Sequence, residues 1–334
     1  MPSTVTSLSD SIGLYLHIPF CSAICDYCNF NRGLYDENLK QRYVNAIKDE
    51  IERWDDARSV DSIFFGGGTP SLLTASDVSE ILAACRSVFA VGSDVETTLE
   101  MNPESCTQLH VKELLDAGIT RVSLGVQSFL DHELKRLGRA HTVNEARAAI
   151  TAIRSAGCNN LSIDLMLWLP GQTRADCVKS VNEMVRCDPD HASLYMLEIY
   201  PNSPLRDEMA RSGWSLAPDE DASGMYFDAL SVTDNAGYQQ YEISNVARSA
   251  RYSRHNLKYW RYQNWVGFGC GAHSMLDGCR WKNISEITGY IDTIGERGTV
   301  AEGHRNLSAE ELIGEAIFMG LRLNEGIDIH EFGE

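Results

Sequence analysis

The chain has 334 residues, of which 43% are hydrophobic and 23% charged, the balance of a folded globular protein, so disordered and fibrous readings are excluded. Acidic residues outnumber basic ones 47 to 29, and the formal net charge of -18 opposes broad contact with phosphate backbones or anionic lipid. Nucleic acid is excluded as a partner, and with no stretch reaching the ~18 consecutive apolar residues needed to cross a bilayer, any membrane contact would be peripheral.

The first predicted element is a short apolar strand at residues 14–18, and directly after it come Cys21, Cys25 and Cys28 in the spacing C-x-x-x-C-x-x-C. Structural zinc takes four ligands. A cubane iron-sulfur cluster also takes four, normally thiolates, so three would leave one iron open to an outside ligand. A zinc site and a set of unrelated buried thiols are the competing readings. The ten cysteines are too sparse and too unevenly spread for a disulfide scaffold. That usage, with an N-terminus MPSTVTSLSDSIG lacking a basic region before an apolar run, predicts a reducing, cytoplasmic setting.

Further along, short apolar runs at 60–65, 96–101, 121–126, 161–167 and 192–197 read as strands. The segments 37–54, 76–89, 107–117, 143–156 and 174–187 carry apolar residues at three- and four-residue intervals and read as helices between them. Ser76 is the expected N-cap of the second helix, while Gly118 and Gly157 stand where C-caps belong. Such alternation implies a mostly parallel sheet with right-handed crossovers. Six repeats are too few for a closed eight-fold barrel.

Parallel strands place functional loops at their C-terminal ends, and the unusual residues fall there. Gly66-Gly67-Gly68-Thr69-Pro70 follows the second strand, where glycine lets the backbone pass close to a ligand. Glu100 closes the third strand, Gln127 follows the fourth, and Asp164 lies within the apolar fifth. A carboxylate at such a place is costly to bury unpaired and suits an ammonium partner. Arg139, in LGRAHT, suits bidentate recognition of a carboxylate. After about residue 200 prolines break the pattern, and an aromatic-rich run begins that includes HNLKYW.

These residues together are similar to the radical S-adenosylmethionine (SAM) proteins, and the flanks Tyr15, His17-Ile18-Pro19-Phe20 and Tyr27 resemble the oxygen-independent coproporphyrinogen III oxidase branch. The resemblance spans roughly residues 13–330. It implies an α/β fold, a partial (β/α)6 TIM-like barrel at 1–205, with a C-terminal extension of small antiparallel strands and helices, such as 309–321, at 206–334. The end at Phe332-Gly333-Glu334 lies soon after that helix, so a truncated extension is expected. The implied cofactors are a 4Fe-4S cluster on Cys21, Cys25 and Cys28, SAM, and heme. The SAM contacts implied are Tyr15, Tyr27, Gly67, Gly68, Thr69, Glu100, Gln127, Arg139 and Asp164, with Asp164 on the ribose. A reduced cluster in this family cleaves SAM to methionine and a 5'-deoxyadenosyl radical.

One position separates two functions within the branch. The porphyrinogen-oxidising members have a further cysteine two residues past the third ligand, and this chain has Phe30 there, as the heme-chaperone members have an aromatic. The resemblance therefore implies heme delivery to recipient hemoproteins, with His255 of HNLKYW as a candidate heme ligand and a flavodoxin or ferredoxin as electron donor. The alternative is a coproporphyrinogen III dehydrogenase that decarboxylates two propionate side chains.

Overall fold

The computed structural model describes residues 11–201 and 203–328, so the expectations concerning the leader and the end at Glu334 lie outside the described residues. Each expected strand and helix forms: the strands run Ser11–Ile18, Ser59–Gly67, Ala90–Met101, Arg121–Gln127, Leu161–Leu167 and His191–Met196. The helices are Glu37–Glu52, Ala75–Val88, Gln108–Ala117, Val143–Ser155 and Arg174–Arg186. The expected cap at Ser76 is corrected: Thr74 caps that helix, its hydroxyl accepting from Asp77 N while the Asp77 carboxylate accepts from Thr74 N. The reciprocal pairing satisfies two donors, which a hydroxyl placed inside the helix cannot do. Gly118 is a C-cap, and Gly157 follows the last helical turn with φ +97°.

The chain divides into two compact units. The first consists of the described residues of Met1–Phe20, Asn31–Thr98 and Ser253–Glu334; the second consists of Cys21–Phe30 and Leu99–Tyr252. In the first, Ser11–Ile18 pairs in parallel with Ser59–Gly67 on one side and with Trp265–Phe268 on the other. The strands His273–Leu276, Cys279–Asn283 and Ala301–Asn306 then extend the sheet antiparallel from Trp265–Phe268. Leu14, Leu16, Ile18, Ile63 and Phe65 are fully buried, each contributing roughly 1.5–3 kcal/mol from lost apolar surface. In the second unit Arg121–Gln127, Leu161–Leu167 and His191–Met196 pair in parallel, and the hairpin strands Asn245–Ala247 and Gln239–Glu242 add antiparallel to the last of them. Every residue of Arg121–Gln127 is buried, as a parallel strand covered on both faces requires.

Within the first unit an enclosed carboxylate ties three segments together. Glu50 accepts hydrogen bonds from Gly269 N at 2.8 Å, Tyr290 Oη at 2.6 Å and Asn283 Nδ2 at 2.6 Å. Burial pushes its pKa up from 4.5 to about 7, and the three donors offset only part of that rise. The unfolded chain holds this proton less tightly than the folded one, so the contribution to stability is complete below pH ~4.5 and is lost as pH rises to ~7. The loss reaches about 3 kcal/mol. Glu50→Gln is expected to flatten this slope, read by urea unfolding at pH 5 and pH 8; a variant keeping the parent's difference would assign it to another group.

Candidate functional site

The three motif cysteines all lie on the Cys21–Phe30 segment of the second unit. Cys21 is buried, and Cys25 and Cys28 are half-buried. No disulfide joins any of the cysteines among the described residues. The segment turns tightly, with Cys28 N donating to Cys25 O at 3.2 Å, and two backbone bonds fix Asp26: its N donates to Leu137 O, and its O accepts from Leu205 N. Tyr27 packs against the cluster of Leu137, Met166, Leu169, Leu197 and Leu205. Burial pushes the Tyr27 phenol up, and Arg139 opposes that rise. Phe30, two residues past Cys28, is 63% exposed.

The donor set bears on which metal group the thiols would suit. Among the described residues the set of three ligand-type side chains whose atoms all lie within 4.8 Å of one another is His132, Glu133 and Asp176, and the motif cysteines do not form such a set. Bonds of ~2.3 Å to one tetrahedral zinc would bring the sulfurs closer than that. Thiolates each bound to a different iron of a cubane stand farther apart, and three soft donors with no fourth are what an open-iron cluster needs. Three thiolate donors without a fourth fit an iron-sulfur cluster with one open iron better than the four-ligand set of a structural zinc.

The second unit also holds Arg139, Gln127, Asp164 and Glu100 of the expected residues. Arg139 Nη1 donates to Cys25 Sγ at 3.4 Å, and its Nη2 donates to Asn102 Oδ1 at 2.8 Å and Gly125 O at 2.9 Å. Burial opposes its charge, but Tyr27, Cys25 and Glu104 outweigh that and hold it protonated. Nε is buried and unpartnered. A bidentate grip on a carboxylate, as the sequence suggests, would require at least one of these bonds to be given up.

Gln127 ends its strand at φ +69°, past a bulge against Leu161–Leu167, and its Oε1 accepts from Tyr195 Oη at 2.6 Å. A non-glycine residue held in the left-handed region costs on the order of 1–3 kcal/mol and clusters at functional sites. Gly125 makes room for it, since a Cβ there would sit 2.9 Å from Gln127 Nε2 and 3.2 Å from Asn102 Oδ1. Asp164 accepts from Ser123 Oγ at 3.1 and 3.2 Å, and its burial pushes the carboxyl above its ordinary value against the pull of Arg121. Glu100, half-buried at the end of Ala90–Met101, contributes negative charge near Tyr195. Gly125, Tyr195 and His141 were not singled out by sequence reasoning. His141 stands two residues after Arg139 in the quoted LGRAHT, and its Nε2 bonds Val126 O at 3.1 Å.

The glycine run and the first-strand aromatics belong to the first unit. Gly67 has φ +118°, and a Cβ on it would lie 2.6 Å from the His17 ring. A Cβ on Gly68 would lie 2.7 Å from Phe20 O. The run therefore lets the strand end press onto the backbone just before Cys21, where Gly68 N donates to Ile18 O and Thr69 N donates to Phe20 O. Tyr15 Oη bonds His17 Nδ1 at 3.1 Å, and its ring stacks on Phe64 and His255.

His255 is 1% exposed on the short helix Arg254–Trp260, with Nδ1 at 3.0 Å from Ser62 Oγ and Nε2 at 2.8 Å from Tyr259 Oη. Burial and then Lys258 lower its pKa to about 3, so the ring is neutral. Neutral imidazole is the ligating form, but both nitrogens are committed here, and heme coordination through it would require Ser62 or Tyr259 to let go.

A family model described as the radical SAM superfamily matches residues 15–184. Across 324 residues the chain is 35% identical to the heme chaperone HemW of Bacillus subtilis, covering 96% of this chain and 86% of that protein. It is 36% identical over 331 residues to the heme chaperone HemW of Escherichia coli, covering 96% and 85%. The solved structure of coproporphyrinogen III oxidase (HemN) from Escherichia coli superposes with a TM-score of 0.85 at 22% identity, over 97% of this chain and 78% of that one. At that identity the likeness shows the fold: a mixed α/β radical SAM architecture with a parallel sheet.

Proposed function

The chain belongs to the radical SAM superfamily, and from that premise we propose that it is a heme-binding chaperone that delivers heme to hemoproteins such as respiratory enzymes. Two bacterial relatives alike over nearly the whole chain carry that name, which supports the reading. The observation that carries it is Phe30: where the porphyrinogen-oxidising branch needs a further thiol, this loop offers an exposed aromatic.

Membership of the superfamily brings a 4Fe-4S cluster and SAM as cofactors. In this reading Cys21, Cys25 and Cys28 hold the cluster and leave one iron for SAM. When bound, the pair supplies one-electron chemistry at the SAM sulfonium. The chain's own residues orient the pair: Glu100 suits the ammonium group and Asp164 the ribose hydroxyls, with Tyr27, Gln127 and Arg139 beside them in the second unit; Tyr15, Gly67, Gly68 and Thr69 are carried as SAM contacts by the family resemblance. The division into a core at 1–205 and an extension at 206–334 is part of the same proposal, supported by a family match that lies within the former. So are the cytoplasmic setting and a flavodoxin or ferredoxin as electron donor. No helix among the described residues is long and apolar enough to cross a membrane.

Anaerobically reconstituted protein, given heme in one experiment and coproporphyrinogen III with SAM and a strong reductant in another, tests this. Saturable uptake of about one heme per chain without tetrapyrrole conversion is expected. Accumulation of protoporphyrinogen would replace the chaperone reading with the dehydrogenase.

A further inference from the structure

The turn Leu137-Gly138-Arg139 is seated on the cysteine segment at three successive points. Leu137 O accepts from Asp26 N at 3.2 Å. Gly138, at φ +67°, leaves no room for a side chain, since its Cβ would lie 2.7 Å from Asp26 Oδ2. Arg139 Nη1 then reaches Cys25 Sγ at 3.4 Å. The far side of the guanidinium is fixed by Asn102 Oδ1 and Gly125 O. A planar fork held on both edges cannot swing away, so its charge and one N–H are aimed at a single thiolate.

We infer that Arg139 is a positioning residue that sets the reduction potential of the cluster through its N–H···S bond to Cys25. The inference rests on the cluster reading above and adds to it a role distinct from recognition of a carboxylate. Reduction adds one electron to a cluster already carrying thiolate charge. A fixed cation hydrogen-bonded to a ligand sulfur in a poorly solvated site favours that reduced form. Asn102 and Gly125 serve it indirectly, by aiming the guanidinium.

The test uses full-length parent, Arg139→Gln, Arg139→Lys and Asn102→Ala, each reconstituted anaerobically, with iron and sulfide counted and the cluster titrated potentiometrically without SAM. Arg139→Gln is expected to hold its cluster and to show, at fixed ambient potential, about a tenfold lower ratio of reduced to oxidised cluster, which is ~59 mV for a one-electron couple. Arg139→Lys, keeping charge without the fork, is expected to fall between, with a changed electron paramagnetic resonance signal. A loaded Arg139→Gln with the parent's midpoint overturns the inference alone. Should Arg139→Gln fail to load, Asn102→Ala decides: its midpoint falls if the aim of the guanidinium matters, and an unshifted midpoint overturns the inference. A parent that takes up no cluster overturns the cluster reading and this inference with it.

Discussion

Alanine at Cys21, Cys25 or Cys28 is expected to lower the iron and sulfide retained after anaerobic reconstitution from ~4 of each per chain to near zero. The effect is large because each thiolate anchors its own iron and the segment offers no substitute. Cys158→Ala is the control: that thiol is buried, donates to Asn160 O at 3.4 Å, and its loss should leave the metal content at the parent's value. Equal iron in parent and Cys25→Ala, measured by colorimetric assay after desalting, would remove the cluster from the account.

Gly67→Ala is expected to destabilise the fold by ~2–4 kcal/mol, from backbone strain at positive φ together with overpacking. Alanine there must hold φ near +118° while its methyl meets the His17 ring at 2.6 Å. The ring has nowhere to go without loss, since Nδ1 is bonded to Tyr15 Oη and Nε2 to Asn31 O at 2.8 Å. Gly303→Ala separates the two contributions, because Gly303 has φ +65° and nothing within 4 Å of its would-be Cβ. It should show strain alone, about 1–2 kcal/mol. Urea unfolding of both variants gives the comparison, and equal losses would mean that the His17 contact yields freely.

Much of this protein was legible in its sequence where the signal is local. Strand and helix periodicity placed each element of the alternating pattern, and the metal chemistry came from the family resemblance that the cysteine motif and its flanks carry. Thr74 was missed beside Ser76 because two hydroxyls compete within three residues; the T-x-x-D spacing to Asp77 would have chosen correctly. The helix Asp131–Arg136 is too short to show a period. Partners far apart in sequence left no trace: the parallel pairing of Trp265–Phe268 with Ser11–Ile18, where antiparallel strands alone were expected, depends on segments some 250 positions apart. HNLKYW looked like a ligand motif, yet it packs beneath the first strand, where a Cβ on Gly13 would lie 2.9 Å from Lys258 Cδ and 3.0 Å from His255. The turn of Gln127 and the aim of Arg139 arise from a bulge and from acceptors on other elements, which no window of sequence contains.

The excursion that carries the thiols leaves the first unit at Phe20 and re-enters it at Asn31, and both gateposts are latched from within that unit. Phe20 O accepts from Thr69 N, Asn31 O meets His17 Nε2, and the Asn31 amide donates to Cys270 O and Ser285 O. Most of the entropy of closing this loop is therefore spent during folding and owes nothing to metal. Loss of a bound group from the thiols would leave every one of these latches unbroken.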